Sequence, residues 1–384
     1  MGRKSVAVLD IRSTELAVII GERGVNNTFA LKASATESYG GYNEHEFYDA
    51  KGLADAIYSA VSAVEQMCGE RIRELYIGVP GVFCKVEPKE QSISFPKKRK
   101  IGQKEIDSLF ASGNEMQEDY RFIRATSMIF ITSDSRRVID PTGLYSDLLS
   151  GYLSYFYCSR YFADLMEEIF NETKIVLRFL PAQYAMASYL IPSETRDEYA
   201  IFLDVGFLSS TLLILLGNGV LIQNTEMVGR LQIAVRLAEK FDLPYDAAVA
   251  LVSKANLYVK PSSGNMELIH QGVSYEIDAN ELAETVKDGL DELCEKIGGL
   301  LEECSGRNLE CKPVYVTGEG LFEIRGALEH VGKRLSRVCE QLAPDLPYYN
   351  KPSMSSPIAL IDMACEDHRK VGILYRILYG FGGY

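Results

Sequence analysis

The 384-residue chain has no excess of basic residues, no CxxC pair, no clustered histidines and no apolar run long enough for a bilayer. Each absence closes a class of function. A formal net charge of −13 argues against general nucleic-acid binding, which needs a basic surface to displace counterions. The eight cysteines (Cys68, Cys84, Cys158, Cys294, Cys304, Cys311, Cys339 and Cys365) lack metal-like spacing and sit mostly among apolar neighbours. With no secretory leader in view, they read as reduced cytoplasmic thiols. His45, His270, His330 and His368 are scattered and predict no metal centre. No segment reaches the length of a spanning helix, so none is expected to cross a membrane. The remainder, 47% hydrophobic and 24% charged, is the balance of a globular protein, and 384 residues exceed one typical core, which predicts two or more subdomains.

What the chain does contain is organised around Ala200 to Leu216, two apolar runs flanking a break with Asp204, Gly206, Ser209, Ser210 and Thr211. The runs are strand-length and the break is rich in turn formers, so a hairpin is predicted. Its backbone N–H groups suit an anion and its carboxylate suits a hydrated cation, although an exposed tight turn has the same composition. A second copy shifts the balance towards a site. Ser5 to Gly24 again runs from an apolar segment into Asp10, a polar break (Arg12, Ser13, Thr14) and a second apolar run from Leu16 to Ile20. Two such units half a chain apart predict a duplicated α/β architecture with facing turns.

Between them, apolar spacing predicts a helix over Ala50 to Met67 and a strand over Leu75 to Val79. From Val82 the pattern changes to strand material, a basic loop (Ser94 to Lys100), a helix opening at Ile101, a strand from Phe122 to Ile131, the turn Asp140-Pro-Thr-Gly143 and a tyrosine-rich strand. Arg160 to Glu172 reads as a helix and Ile175 to Leu180 as a strand. Beyond the second hairpin come a turn at Asn218-Gly219, helices over Leu231 to Phe241 and Asp246 to Ala255, and a long amphipathic helix from Asn280 to Glu303. A strand over Val314 to Val316, a helix from near Phe322 and a last core element over Ser355 to Met363 complete the pattern.

Several of these segments resemble, in order along the chain, the bacterial cell-division FtsA family. They are Tyr76-Ile-Gly-Val-Pro-Gly81, Ile101-Gly-Gln-Lys-Glu-Ile-Asp-Ser-Leu109, Val138-Ile-Asp-Pro-Thr-Gly-Leu144, Leu203-Asp-Val-Gly-Phe-Leu-Ser-Ser-Thr211 and Tyr315-Val-Thr-Gly-Glu-Gly-Leu321. The resemblance implies a duplicated actin-like fold of the actin, Hsp70 and sugar-kinase superfamily with an FtsA-type insertion. The implied division is subdomain 1A (1–81, 168–196, 351–368), insertion 1C (82–167), 2A (197–230, 310–350) and 2B (231–309). It further implies ATP held between two phosphate hairpins, with magnesium positioned by Asp10 and Asp204. The implied nucleotide set is Asp10, Arg12, Ser13, Thr14, Asp204, Gly206, Ser209, Ser210, Gly229, Gly318 and Gly320. Implied partners are the C-terminal tail of an FtsZ-like filament protein, other division proteins, and further copies through 1C.

The chain departs from that pattern at three places. Arg12 stands where the first turn has glycine, and Phe207 and Leu208 follow Gly206 where glycines are expected. A phosphate nears the backbone only where no Cβ intervenes, so Phe207 and Leu208 either remodel the loop or fill the pocket. Arg12 either binds phosphate through its side chain or pairs internally with Asp204 or Asp10. Leu180 occupies the position where the family carries the carboxylate that orients water, and it can take no proton; Gln183, three residues on, is the candidate substitute. The expectation is weak or absent hydrolysis, with no catalytic residue assigned. The rival readings are a working actin-like ATPase and an adaptor like the related pilus-assembly protein PilM.

The tail, residues 369–384, has three basic and no acidic residues. Val371, Ile373, Leu374, Ile377, Leu378 and Phe381 share an apolar side of a helical wheel, with Arg369, Lys370 and Arg376 as the cations. That composition suits contact with an anionic membrane surface, which would place a cytoplasmic protein peripherally on the inner face of the plasma membrane. The alternative is a final helix packed on the core.

Overall fold

In the computed structural model, residues 5–24, 28–258, 264–303 and 309–370 are described, with the side chains of Arg369 and Lys370 excepted. The predicted membrane-contact set therefore lies outside the described residues, save the backbone of Arg369 and Lys370 in the final helix.

The first half is built from β1 (Val6–Ile11), β2 (Glu15–Arg23), β3 (Phe29–Ser38), α1 (Ala50–Cys68) and β4 (Glu74–Val79). The α1 helix starts where Asp49 accepts the Gly52 N–H and ends at Gly69 in the left-handed region, which only glycine enters without strain. It buries Leu53, Ile57, Val61 and Val64, the stripe its spacing predicts. The chain then leaves for the insertion: β5 (Cys84–Lys100), α2 (Gln103–Ser112), β6 (Tyr120–Thr132), β7 (Arg137–Val138) and β8 (Tyr145–Ser159). It returns through α3 (Arg160–Ile169), β9 (Val176–Pro181), α4 (Ala182–Leu190) and α5 (Ser193–Arg196). The second half comprises β10 (Ala200–Val205), β11 (Ser210–Leu216), β12 (Gly219–Glu226), α6 (Arg230–Phe241), α7 (Tyr245–Val252), β13 (Asn265–His270), β14 (Val273–Asp278), α8 (Ala279–Glu303), β15 (Val314–Thr317), α9 (Ala327–Leu335) and β16 (Cys339–Gln341). The closing helix α10 (Ser355–Lys370) returns to the first half against β1, β2 and α4.

The duplication is explicit in the sheets. One runs β3-β2-β1-β4-β9 and the other β12-β11-β10-β15-β16, each with an antiparallel hairpin pair followed by two parallel neighbours. Asp10 and Asp204 occupy matching places: Asp10 pairs across to Ala17 and Gly78, Asp204 to Thr211 and Thr317.

The insertion is a four-stranded sheet, β5-β8-β6-β7, with its own core of Ile101, Ile106, Leu109, Phe130, Leu149, Leu153, Tyr155 and Tyr157. Strand alternation in β8 sends Tyr155 and Tyr157 into that core and Phe156 and Cys158 into the core of the first half. The predicted basic loop at Ser94 to Lys100 is instead the end of β5. The ladder slips between Ser94 and Arg99 and resumes with Arg99 opposite Ser146; Pro96, lacking an N–H, accounts for the bulge. The helix expected near Phe322 begins at Ala327, after a turn closed by Gly326 in the left-handed region.

The halves share a core. Phe202, Phe207, Leu208, Leu213, Leu215 and Val220 of the second half belong to the cluster of the first. The insertion braces them further along β12. Ser154 Oγ donates to Val220 O and accepts from Val220 N, both at 2.8 Å, as a neighbouring strand would. Gln223 Nε2 donates to Cys84 O at 2.9 Å and Tyr184 Oη to Asn218 O at 2.7 Å.

Candidate functional site

The two hairpin turns face each other, and the cleft between them is lined by Arg12, Ser13, Asp204, Gly206, Ser209 and Gly318 of the predicted set, together with Tyr42, Gln183, Glu319 and Ser356. Asp10 is 1% exposed at the floor and accepts from Ser356 Oγ at 2.6 Å. Thr14, Ser210, Gly229 and Gly320 do not line the cleft. Ser210 Oγ turns away to Val228 O at 2.7 Å, and Gly229 and Gly320 pack against the backbone of the second turn.

Arg12 settles between its two sequence readings. Its guanidinium lies 3.6 Å from Asp10, 3.5 Å from Glu15 and 3.4 Å from Glu319, and Asp204 is not among its ion-pair partners. Burial pulls its pKa down, but Asp10, Glu319 and Glu15 outweigh this and raise it, so the cation is held firmly. The Tyr39 hydroxyl donates to the Arg12 carbonyl, fixing the turn from behind. Glu319 is the partner that sequence reasoning passed over; a lone carboxylate between Gly318 and Gly320 was the available signal. Tyr42, from a loop with no distinguishing pattern, carried none.

Phe207 and Leu208 do not reach into solvent or simply plug the cleft. They are 7% and 6% exposed, buried in the first half's core, and the Arg230 guanidinium lies over the Phe207 ring at 5.4 Å from its centre. Their insertion draws the turns into contact: Leu208 N donates to Ser13 Oγ at 3.0 Å. The opening amides of α6, which at a helix start suit an anion, are already occupied, Arg230 N by Gly206 O at 3.2 Å and Leu231 N by Phe207 O at 2.8 Å. Gly318, at φ +99°, carries no Cβ because one would collide with the Val205 carbonyl and the Asp204 carboxylate. At Gly320 a Cβ would stand 2.5 Å from Gly206 O. Both glycines thus serve the approach of one protein segment to another.

The cleft encloses about 50 Å³, where small-molecule sites typically span several hundred. That is room for about three or four waters. Asp10 Oδ2, Arg12 Nε and Gln183 Oε1 are buried there without hydrogen-bond partners, which suits water between them. A triphosphate does not fit this arrangement. Nor does magnesium between Asp10 and Asp204: the cation beside Asp10 is a guanidinium, and among the described residues no cluster of three His, Cys, Asp or Glu side chains could hold a metal.

The carboxylates carry the electrostatic mark of a closed site. Burial raises the pKa of Asp10 against the pull of Arg12 and Ser356. Burial likewise raises Asp204, to about 7; the Gln183 hydrogen bond lowers it, and Glu319 and Asp10 raise it further. Glu319 is raised by burial, with Arg12 and Arg230 opposing. Tyr42, within 3.4 Å of Ser209 Oγ, is pushed up to about 12 by burial. Leu180 is 2% exposed, paired in β9 with Gly78, and does not line the cleft. Gln183 does, with Nε2 3.3 Å from Asp204 Oδ2, but an amide takes no proton.

No protein-family profile matches the chain. The cell division protein FtsA of Pseudomonas aeruginosa is 19% identical over 340 residues, covering 85% of this chain and 80% of FtsA. The solved PilM–PilN type IV pilus biogenesis complex superposes with a TM-score of 0.65 at 14% identity, over 95% of this chain and 99% of that one. MreB5 of Spiroplasma citri bound to AMPPNP gives a TM-score of 0.55 at 10% identity, over 96% and 98%. The chain has the actin-like ATPase fold and is distantly similar in sequence to FtsA. No helix among the described residues is long and apolar enough to cross a membrane.

Proposed function

We propose that this is an FtsA-like adaptor in bacterial cell division, which links FtsZ-type filaments to the membrane or to other division proteins and hydrolyses ATP weakly or not at all. The observation that carries the reading is the combination of a separate four-stranded sheet inserted between β4 and β9 with a buried Leu180 at the position where the resemblance implies a water-orienting carboxylate. The first supplies a surface for assembly; the second removes the group that turnover needs. In this reading the chain divides into 1A, 1C, 2A and 2B at the boundaries given above, self-association runs through 1C, and residues 369–384 provide the peripheral membrane contact. One short helix binds a membrane weakly, so attachment would rest on several copies acting together.

The likeness to the PilM–PilN complex favours a second reading, a pilus-type adaptor that recruits a PilN-like partner. Capture of the full chain by an immobilised FtsZ C-terminal peptide separates the two. Retention supports the division adaptor, and indifference to that peptide with retention by PilN overturns it. A tagged copy should lose its membrane localisation when residues 369–384 are removed. Steady-state phosphate release with magnesium-ATP should lie at or only slightly above the buffer blank.

A further inference from the structure

The cleft of this molecule is bridged from both sides by its own side chains. Arg12, in the first turn, spans to Glu319 on the second half while holding Asp10 beneath it. Ser13 accepts the Leu208 amide across the same gap, and a Cβ on Gly206 would already stand 3.4 Å from Ser13 Oγ. The first amides of α6 are spent on the carbonyls of Gly206 and Phe207, and Gly320 N donates to Val205 O at 2.8 Å, which presses the loop after β15 onto the second turn. At the far end of the halves, Ser154 and Gln223 bind β12 to the insertion and its entry strand.

In a two-half fold, a ligand drives closure only through contacts it makes better in the closed state than in the open one. Here those contacts exist without a ligand. We propose that Arg12 is a resident clasp: its guanidinium bridges the two halves through Asp10 and Glu319, in place of a bound nucleotide and cation, and holds the protein permanently closed. This deepens the adaptor reading, on which it rests only for its biological use, because a clasped molecule presents one fixed surface to partners whatever the nucleotide supply. Magnesium-ATP gains entry only by breaking the Arg12–Glu319 and Ser13–Leu208 bridges, so the cost of opening is subtracted from its binding and the closed molecule stays dominant at millimolar nucleotide.

Hydrogen exchange on the full chain tests the clasp. In the wild type, amides of residues 10–15 and 204–210 should exchange at the same rates with and without millimolar magnesium-ATP. Arg12→Ala should accelerate both segments about 5- to 10-fold, as expected for loss of a partly buried bridge, while β5 and β8 are unchanged. Arg12→Lys should recover part of the protection, since it keeps the charge without the fork. Should Arg12→Ala fail to fold, Glu319→Gln releases the clasp from the opposite half and should loosen the same two segments. Nucleotide-dependent protection in the wild type, or unchanged exchange in both Arg12→Ala and Glu319→Gln, would overturn the proposal. Capture by the FtsZ peptide reads the adaptor role separately, so either idea can fail without the other.

Discussion

The β1–β2 and β10–β11 turns begin from the same scaffold and close the cleft by different physics. Each follows a strand with a buried or half-buried aspartate next to its end, each sits in a sheet of the same order, and each pairs with the equivalent strands of its own half. The first turn holds on by charge, through Arg12. The second holds on by apolar burial, through Phe207 and Leu208 in the other half's core. Burying a large apolar side chain is worth about 1.5–3 kcal/mol, whereas a partly exposed ion pair contributes about 1 kcal/mol or less. The apolar turn is therefore the stronger fastening, and the charged turn decides what else can enter.

Substitutions that separate the two fastenings should rank accordingly. Phe207→Ala is expected to lower stability by about 3–4 kcal/mol in chemical denaturation, since it opens a cavity in a core shared by both halves and strips the ring from beneath Arg230. Gly318→Ala should cost about 2–3 kcal/mol, because φ +99° is strained for alanine and its Cβ meets the Val205 carbonyl.

Asp204→Asn should act with the opposite sign and depend on pH. A carboxyl raised from 3.8 to about 7 binds more protons folded than unfolded in that interval, so wild-type stability falls as pH rises through it. The full shift would correspond to about 4 kcal/mol; partial solvent access to Asp204 halves this. The variant should thus be more stable than wild type by about 2 kcal/mol at pH 8 and equal to it near pH 4, in melts across that range. A flat difference would show that the Asp204 carboxylate is well solvated. Smallest of all, Arg12→Lys should cost about 1 kcal/mol or less, because it loses the fork but keeps the cation; a loss as large as that of Phe207→Ala would reverse the ranking.

The strand–Asp–turn–strand repeat was legible because strand periodicity and turn formers are local signals, and the same holds for α1, α8 and the strands of the insertion. The basic run Lys97 to Lys100 misled because composition marks it as a loop, while pairing with Ser146 and Tyr145 makes it the end of a strand. At the site, the irregular residues of the turns pointed to an altered cleft, but not to how it closes. Arg12 and Glu319 are 307 positions apart, and nothing local in either segment selects that pairing over Asp204.

The residues in order determined two matching aspartate hairpins and a change of pattern after Gly81, since each depends only on neighbours in the chain; that Leu180 stands at a carboxylate's place is implied by the resemblance alone. Whether the glycines at 318 and 320 serve a nucleotide or the Val205–Gly206 backbone was decided by packing within the second half, and whether Phe207 and Leu208 block a pocket or enter the opposite core was decided only once the halves met. Those outcomes depend on which groups, distant in sequence, fill the space beside these residues, and in this molecule they are the protein's own.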